Sequence, residues 1–249
     1  VITSDYSAMD MAFRAGEIDV TVLSENVYTQ YKADPELSKG LIEVSEVFTR
    51  HMGMNTEKKP FDDARVRQAI NYAVDRDLII KKLLKEKAFK ANGWLPATSA
   101  AFDETRAPYP YDPAKAKALM AEAGYADGVE IEVMVVDSTQ SLGVLQAMMP
   151  YLREIGITAK PRVVEQNVLV DAMTDGTALA WFRSTGTGPD DIAALRYFDS
   201  RVSRAAGNRS AYKNPAFDKV LDAAAAEVDQ DKRVALIREA EGIVFNDAP

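Results

Sequence analysis

The stretch "PFDDARVRQAINYAVDR", residues 60–76, decides how the chain is read. Asp62, Asp63, Arg65, Arg67, Asp75 and Arg76 are all charged at neutral pH, so their purpose must be settled first. The apolar residues Val66, Ala69, Ile70, Ala73 and Val74 fall at i, i+3, i+4, i+7 and i+8, one face of an α-helix. Arg67, Gln68 and Asn71 are expected on the opposite, solvated side. Asp62 or Asp63 stands where a carboxylate caps the first turn and meets the positive end of the helix dipole. Asp75 is placed to cap a second helix beginning "RDLIIKKLL". Local physics thus assigns these charges to capping and solvation, not to chemistry.

The rest of the composition narrows the classes. The chain has 249 residues, enough for one large domain or two small ones. Its net charge of −8 opposes a phosphate backbone, which argues against nucleic acid as a partner. The lysines of "KKLLKEK" (81–87) read as one wet helix face. No apolar run is long enough to span a bilayer. The first residues, "VITSDYSAMDMAF", lack the basic start and apolar stretch of a signal peptide, so either none was present or the sequence is an internal piece. With no cysteine there is no thiol catalysis and no Cys-ligated metal site. His51 is the only histidine, too few for an ordinary protein-held zinc, and is expected to be structural. No metal site and no cofactor are expected.

Downstream, "YDPAKAKALMAEAGY" (111–125) has Asp112 as N-cap, Pro113 at the first helical position and Gly124 past the end. "VEIEVMVVD" (129–137) reads as a strand. "SLGVLQAMMPYLREIG" (141–156) reads as a helix that Pro150 should bend or end early. "ITAKPRVVE" (157–165) is a strand whose Pro161 predicts an edge position or a bulge. "NVLVDAMTDG" is a short helix, "ALAWFR" (178–183) a strand, and "STGTGPDD" (184–191) a loop. Two helices close the chain. Strand–helix alternation argues for an α/β layer with a parallel or mixed sheet. In the first fifty residues a helix near 7–16 ends at Gly16. "IDVTVL" (18–23) reads as a strand, and "GLIEVSEVFTRHMGMN" as extended chain. The clearest boundary is 51–61.

Catalytic patterns are scarce. "GTGPDD" lacks the third glycine of a dinucleotide site, and neither a phosphate-binding loop nor a nucleophile elbow is present. The pairs Asp62/Asp63 and Asp190/Asp191 are adjacent residues at helix starts, better explained as caps than as an acid–base couple. Catalytic residues: none. The loop 184–191 offers hydroxyls and backbone N–H groups at a helix start, a setting for carboxylate or amide recognition. Trp181 reads as core or as a wall of this site. Arg183 reads either as a partner for a ligand carboxylate or as a solvated arginine at a strand end.

The pieces "FRAGEIDV", "GMNTEKKPFDDARVRQAINYAVDRDLI", "YPYDPAKAKALMAEAGYADGVEIEV", "YLREIGITAK" and "YKNPAFDKVLDAA…DKRVALIREAEGIV" together resemble the family 5 extracellular solute-binding proteins of ABC importers for dipeptides, oligopeptides, nickel and glutathione. The resemblance implies an α/β fold, a type II periplasmic-binding-protein-like lobe with a mixed sheet flanked by helices, in an incomplete two-lobed protein. Residues 1–50 would be the tail of lobe one, 51–59 the hinge crossing, and 60–249 the second lobe lacking its final return. Family members are about twice as long, so a fragment is expected.

The resemblance also implies a function. A small peptide-like solute (dipeptide, oligopeptide or glutathione-type) would be captured between two lobes and passed to ABC permease transmembrane subunits. The full-length protein would be a monomer, periplasmic or an extracytoplasmic lipoprotein, and not an enzyme. Peptide-binding members carry, three positions after a tryptophan, an aspartate that pairs with the peptide amino terminus. Here Ser184 follows Trp181 at that spacing, and a hydroxyl supplies no charge-assisted bond. Asp190 or Asp191 would have to substitute, and "STGTGPDD" is closer to the glutathione-type branch. The expected ligand-binding residues are Trp181, Arg183, Ser184, Thr185, Thr187 and Asp190. A ligand-sensing module or a hydrolase on the same fold, the latter using Asp190 with a second carboxylate, are the rival readings.

Overall fold

The computed structural model describes residues 6–44, 47–136 and 139–249. The chain divides into two compact units, Val1–Ser45 and Glu46–Pro249.

In the first unit, helix α1 (Tyr6–Arg14) ends at Gly16, which takes the left-handed φ of +73° expected of a helix stop. Helix α2 (Glu25–Ala33) is tied to it through Tyr31, whose hydroxyl donates to Asp10, itself paired with Arg14. The strand expected over 18–23 does not form. Val20 and Val22 are 82% and 62% exposed, and β-pattern residues form no ladder without a neighbouring strand.

The second unit begins with strand β1 (Phe48–Met54). Helices α3 (Ala64–Ala73), α4 (Arg76–Lys82) and α5 (Pro113–Glu122) follow. Then come β2 (Val129–Val136), α6 (Thr139–Glu154), β3 (Ile157–Val164), α7 (Gln166–Asp175), β4 (Ala180–Gly186), the short α8 (Asp191–Leu195), α9 (Pro215–Ala226) and α10 (Gln230–Asp247). The four strands form one sheet in the order β1-β4-β2-β3. The β2–β3 and β2–β4 pairs are parallel and β1–β4 is antiparallel, so the sheet is mixed. The strands expected near 130–136, 157–164 and 178–183 thus share a sheet. Residues 45, 46 and 137, read as extended from sequence, lie outside the described residues. β1 takes up residues 51–54, part of the stretch read as a hinge crossing, and the contact boundary falls at 45/46.

Side-chain alternation gives the sheet two faces. Met54, Val133, Val135, Ala180 and Phe182 join the large core with α3, α5 and α6. Met134 and Trp181 point the other way, against Leu169 and Met173 of α7. A third apolar cluster joins Leu95, Leu195, Phe217, Leu221, Ile237 and Val244. Pro161 sits on β3, an edge strand, where its missing N–H interrupts no second ladder. Pro150, expected to bend or end α6, lies inside a continuous helix. Pro150 and Gln146 are on the exposed side, so the carbonyl that loses its partner can turn to water while Leu145, Met148 and Leu152 hold the buried side.

The charges of residues 60–76 have defined tasks. Asp63 and Asp75 are N-caps, accepting from the N–H groups of Arg65 and Leu78. The arginines go to helix ends. Arg65 Nη1 donates to the Glu122 carbonyl of α5 at 2.8 Å, and Arg76 to Asn71 in the last turn of α3. Arg67, expected on the solvated side, is only 5% exposed. Its Nε and Nη2 donate to the Asp247 carbonyl at 3.0 and 2.7 Å, and Nη1 to Phe61 O at 2.7 Å. Beside it Gln68 donates to Asn246 O. The physical reason is that the last carbonyls of α10 have no intrahelical donor and are packed against α3.

Arg67→Ala should therefore destabilise the protein by roughly 3 kcal/mol, since it strands carbonyls in a buried place. Arg67→Lys should recover only part of that loss, because an ammonium cannot reproduce the fork. Urea unfolding of the three proteins measures both; a loss under about 1 kcal/mol for Arg67→Ala would contradict this assignment.

Candidate functional site

The candidate site is built on the last residues of β4 and the strand beside them. The register pairs His51 with Arg183, Arg50 with Ser184, Thr49 with Thr185 and Phe48 with Gly186. The strand extends three residues beyond the sequence reading because β1 supplies a partner that far. Ser184 and Thr185, read as loop residues, are strand residues. The ladder continues into Thr187, whose N–H donates to Val47 O at 3.1 Å.

Alternation separates the six expected site residues. Trp181, Arg183 and Thr185 share one face with His51 and Thr49. Ser184 lies on the other face, where Arg50 Nε donates to its hydroxyl at 3.3 Å. Trp181 is 3% exposed and packs over Gly53, where even a Cβ would come within 2.3 Å of the indole. Thr187 is buried, its side chain turned to Val47 O. Asp190 is exposed and caps α8: its Oδ1 accepts from the N–H groups of Ile192 and Ala193. Asp191 accepts from Ser99 Oγ and from Ala101 N–H. The backbone donors that the sequence offered at this helix start are thus already engaged by Asp190, and Asp191 is committed to holding the 99–101 segment.

Arg183 stands differently. It is half-buried, and its Nε donates to the neighbouring Ser184 carbonyl at 3.2 Å. Burial lowers its pKa from the ordinary arginine value; Tyr197 opposes that shift and the charge of Arg209 adds to it. Thr185, beside it on the same face, makes no side-chain hydrogen bond among the described residues.

The loop over this face is fixed by Trp94, a residue the sequence reading did not single out. Its carbonyl accepts from Thr49 Oγ1 at 2.9 Å and its indole N–H donates to Ala194 O at 2.9 Å. Its ring meets His51 edge-on at 4.9 Å and Tyr197 at 5.9 Å. Glu241, 1% exposed, anchors the same loop by accepting from Leu95 N–H and Arg106. No spacing in the sequence joins positions 51, 94, 183, 197 and 241; only the strand register and the third core bring them together.

His51 reports on this packing. Burial lowers its pKa to about 4; Nδ1 against the Thr49 carbonyl partly offsets the shift, and Arg183 reinforces it. The unfolded ring takes up a proton near its ordinary pKa of about 6.5, before the folded ring does. Stability is therefore full above that value and falls as pH drops from about 6.5 towards about 4, by up to about 3 kcal/mol. The carboxylates with lowered pKa, such as Asp63 and Asp199, lose their contribution only at more acid pH. Denaturant unfolding between pH 7 and 4 should show this slope, and His51→Gln should flatten it; an unchanged slope in the variant would disprove the assignment.

Comparison with known proteins bears on this arrangement. Residues 1–205 match the family described as bacterial extracellular solute-binding proteins, family 5 Middle. Heme-binding protein A of Haemophilus influenzae is 30% identical over 259 aligned residues, covering 100% of this chain and 46% of that protein. Glutathione-binding protein GsiB of Salmonella paratyphi A is 30% identical, over 84% of this chain and 42% of its own length. Among solved structures, the periplasmic binding protein DppA of Helicobacter pylori, in complex with the peptide STSA, superposes with a TM-score of 0.84 at 28% identity. That match covers 99% of this chain and 49% of DppA. HbpA2 of Haemophilus parasuis gives 0.85 at 25% identity, over 100% and 50% of the two chains. The chain thus spans about half the length of the relatives it matches. With a match that takes in both compact units, the chain belongs to the family 5 bacterial extracellular solute-binding proteins.

Proposed function

We propose that the protein is the substrate-binding component of an ABC importer, which captures a small peptide-like solute and delivers it to membrane permease subunits. The carrying observation is the end of β4. A half-buried Arg183 and a Thr185 hydroxyl with no side-chain hydrogen bond among the described residues stand on one face of the sheet with His51, whose ring meets Trp94. Polar groups fixed on a rigid strand with open bonding capacity suit recognition of a carboxylate or amide.

The family relationship supports the same reading. Relatives named as glutathione-binding and dipeptide-binding proteins match more than four-fifths of this chain. The whole protein would be two-lobed, with the second lobe contributing Arg183 and Thr185 and the opposing lobe closing over the solute. Trp181 would act from beneath, setting the backbone that carries Arg183, and Asp190 by fixing the turn into α8. Ser184 would act through Arg50. Such a protein works outside the cytoplasmic membrane, in the periplasm or anchored to the outer leaflet. No described helix is long and apolar enough to cross a membrane.

Isothermal calorimetry with di-alanine, tri-alanine and glutathione tests the reading, alongside native mass spectrometry for a co-purified solute. Replacing Ser184 and Thr185 together by alanine should weaken the best ligand by roughly tenfold, with Thr185→Ala responsible for most of it. Absence of any bound solute, together with turnover of a peptide or ester substrate, would overturn the proposal.

A further inference from the structure

Residues 77–90 run against the charge of the rest of the chain. They hold five lysines and two acids, a net of +3 in a protein whose total is −8. They are not the plain wet helix face that the sequence suggests. Helix α4 stops at Lys82, and the chain from Leu83 onward is not helical. Lys81, Lys82, Lys85 and Lys87 are exposed, and so are Leu78, Leu83 and Phe89. At 82%, Phe89 is the most exposed aromatic side chain among the described residues. Single apolar residues at a surface are ordinary, but several of them among like charges mark a surface that meets a partner.

The path of the chain gathers these side chains. Ile79 is buried and Leu84 packs partly on the same core, so the segment is held from one side. Leu78, Lys81 and Lys82 stand at i, i+3 and i+4 on α4 and share its exposed face. Beyond the helix the Glu86 N–H donates to the Ile80 carbonyl at 3.0 Å, and Lys85 and Glu86 take left-handed φ angles of +47° and +63°. Two residues that resist this conformation, where glycine would adopt it freely, thus reverse the chain. Lys90 returns to the first turn of α4, where its Nζ meets Asp77 Oδ2 at 2.7 Å. Leu78 and Phe89 are the chain neighbours of that ion pair, so both lie at the same end of the segment. The pair occupies Asp77, which leaves Glu86 as the other acid of residues 77–90.

We propose that residues 78–89 form a docking surface for an anionic phospholipid bilayer. Leu78, Leu83 and Phe89 enter the headgroup layer, and the exposed lysines meet lipid phosphates. The proposal goes beyond the solute-binding reading and does not depend on it. Lipid fits better than an acidic protein because the apolar side chains stand among the lysines. A lysine stem can lie along buried apolar groups while its ammonium stays at the phosphates, and a phenyl ring gains most where it leaves water. The remaining residues carry −11 and are repelled by such a bilayer. Screening over about 8 Å at physiological salt confines the interaction to the charges nearest the surface, so the local sign decides the outcome. Each lysine there strengthens binding about fivefold, and a net of three charges gives on the order of a hundredfold, a reversible docking and not an anchor.

Co-sedimentation with vesicles tests this, using phosphatidylcholine alone and an equal mixture of phosphatidylcholine and phosphatidylglycerol. The protein should bind the mixed vesicles at least about tenfold more tightly than the neutral ones, and high salt should remove the difference. The double substitution Lys81→Gln with Lys82→Gln should weaken that binding at least about tenfold, and so should Phe89→Ser. Lys219→Gln with Lys232→Gln makes the same change of charge outside the segment and should leave binding within about twofold. All the substituted residues are exposed, and unchanged melting temperatures confirm that the variants fold. Phe89→Trp adds a direct readout: its emission should shift to the blue with the mixed vesicles and stay unchanged with the neutral ones. Equal binding to the two vesicles, no binding, or an equal loss in the Lys219/Lys232 variant would overturn the proposal. Binding that polyglutamate abolishes and Phe89→Ser leaves intact would replace the bilayer by an acidic protein partner. Self-association that Phe89→Ser removes, with no blue shift on vesicles, would assign the surface to a second copy of the chain and overturn the proposal as well.

Discussion

A helix end packed inside a protein leaves carbonyls with nothing to accept from, and the second unit is organised around meeting that need. The C-terminal end of α10 lies against α3, and Arg67 reaches from α3 to satisfy the Asp247 carbonyl with two donors and the Phe61 carbonyl with a third. Asp247 is tied in by its side chain as well, accepting from Tyr212 and Asn214. The segment before α9, the last helix and the first helix of the unit thus converge at one point. Through α3 that point is continuous with the sheet, since Val66, Ala69, Ile70 and Ala73 pack in the same core as Val133, Val135 and Phe182.

The sheet then determines what is offered at the site. β1 is antiparallel to β4 and lies at the edge of the sheet, so β4 is paired along both sides for part of its length. Beyond Phe182, where β2 stops pairing, β1 is the one neighbour of β4 among the described residues. Arg183, Ser184 and Thr185 occupy that half-paired end. Their backbone is fixed by that neighbour and their side chains are half-buried. A rigid backbone carrying partly exposed polar side chains is a setting suited to ligand recognition. Trp94 and Glu241 add the loop that borders it, each through hydrogen bonds to backbone groups far away in sequence.

The differences between sequence and structure have individual causes. Residues 18–23 have strand chemistry but no neighbouring strand among the described residues of their unit, and remain irregular with Val20 and Val22 exposed. Pro150 is tolerated inside α6 because its turn faces water. Helical period alone puts Arg67 toward solvent, but period records which residues are apolar, not what lies opposite the polar ones. Ser184 and Thr185 have the local chemistry of a loop, because serine, threonine and glycine favour turns. A strand partner contributed by residues 48–50 overrides that preference.

The sequence by itself determined the helices of the second unit, strands β2 and β3, the start of β4 and the α/β class, because periodicity, Asp at N-caps, Pro at helix starts and Gly at helix stops act over a few residues. Asp63, Asp75 and Asp112 cap as their spacing indicates, and Pro161 sits at an edge. The same motifs, taken in order, carried the family. Only the tertiary structure decided which residues share the site's face. It separated Ser184 from Arg183 and Thr185, committed Asp190 and Asp191 to backbone donors, and set His51 beside Arg183 with Trp94 against its ring. The reason is that pairing register and inter-helix packing join positions far apart in the chain, such as Arg67 and Asp247, and no local propensity encodes that distance.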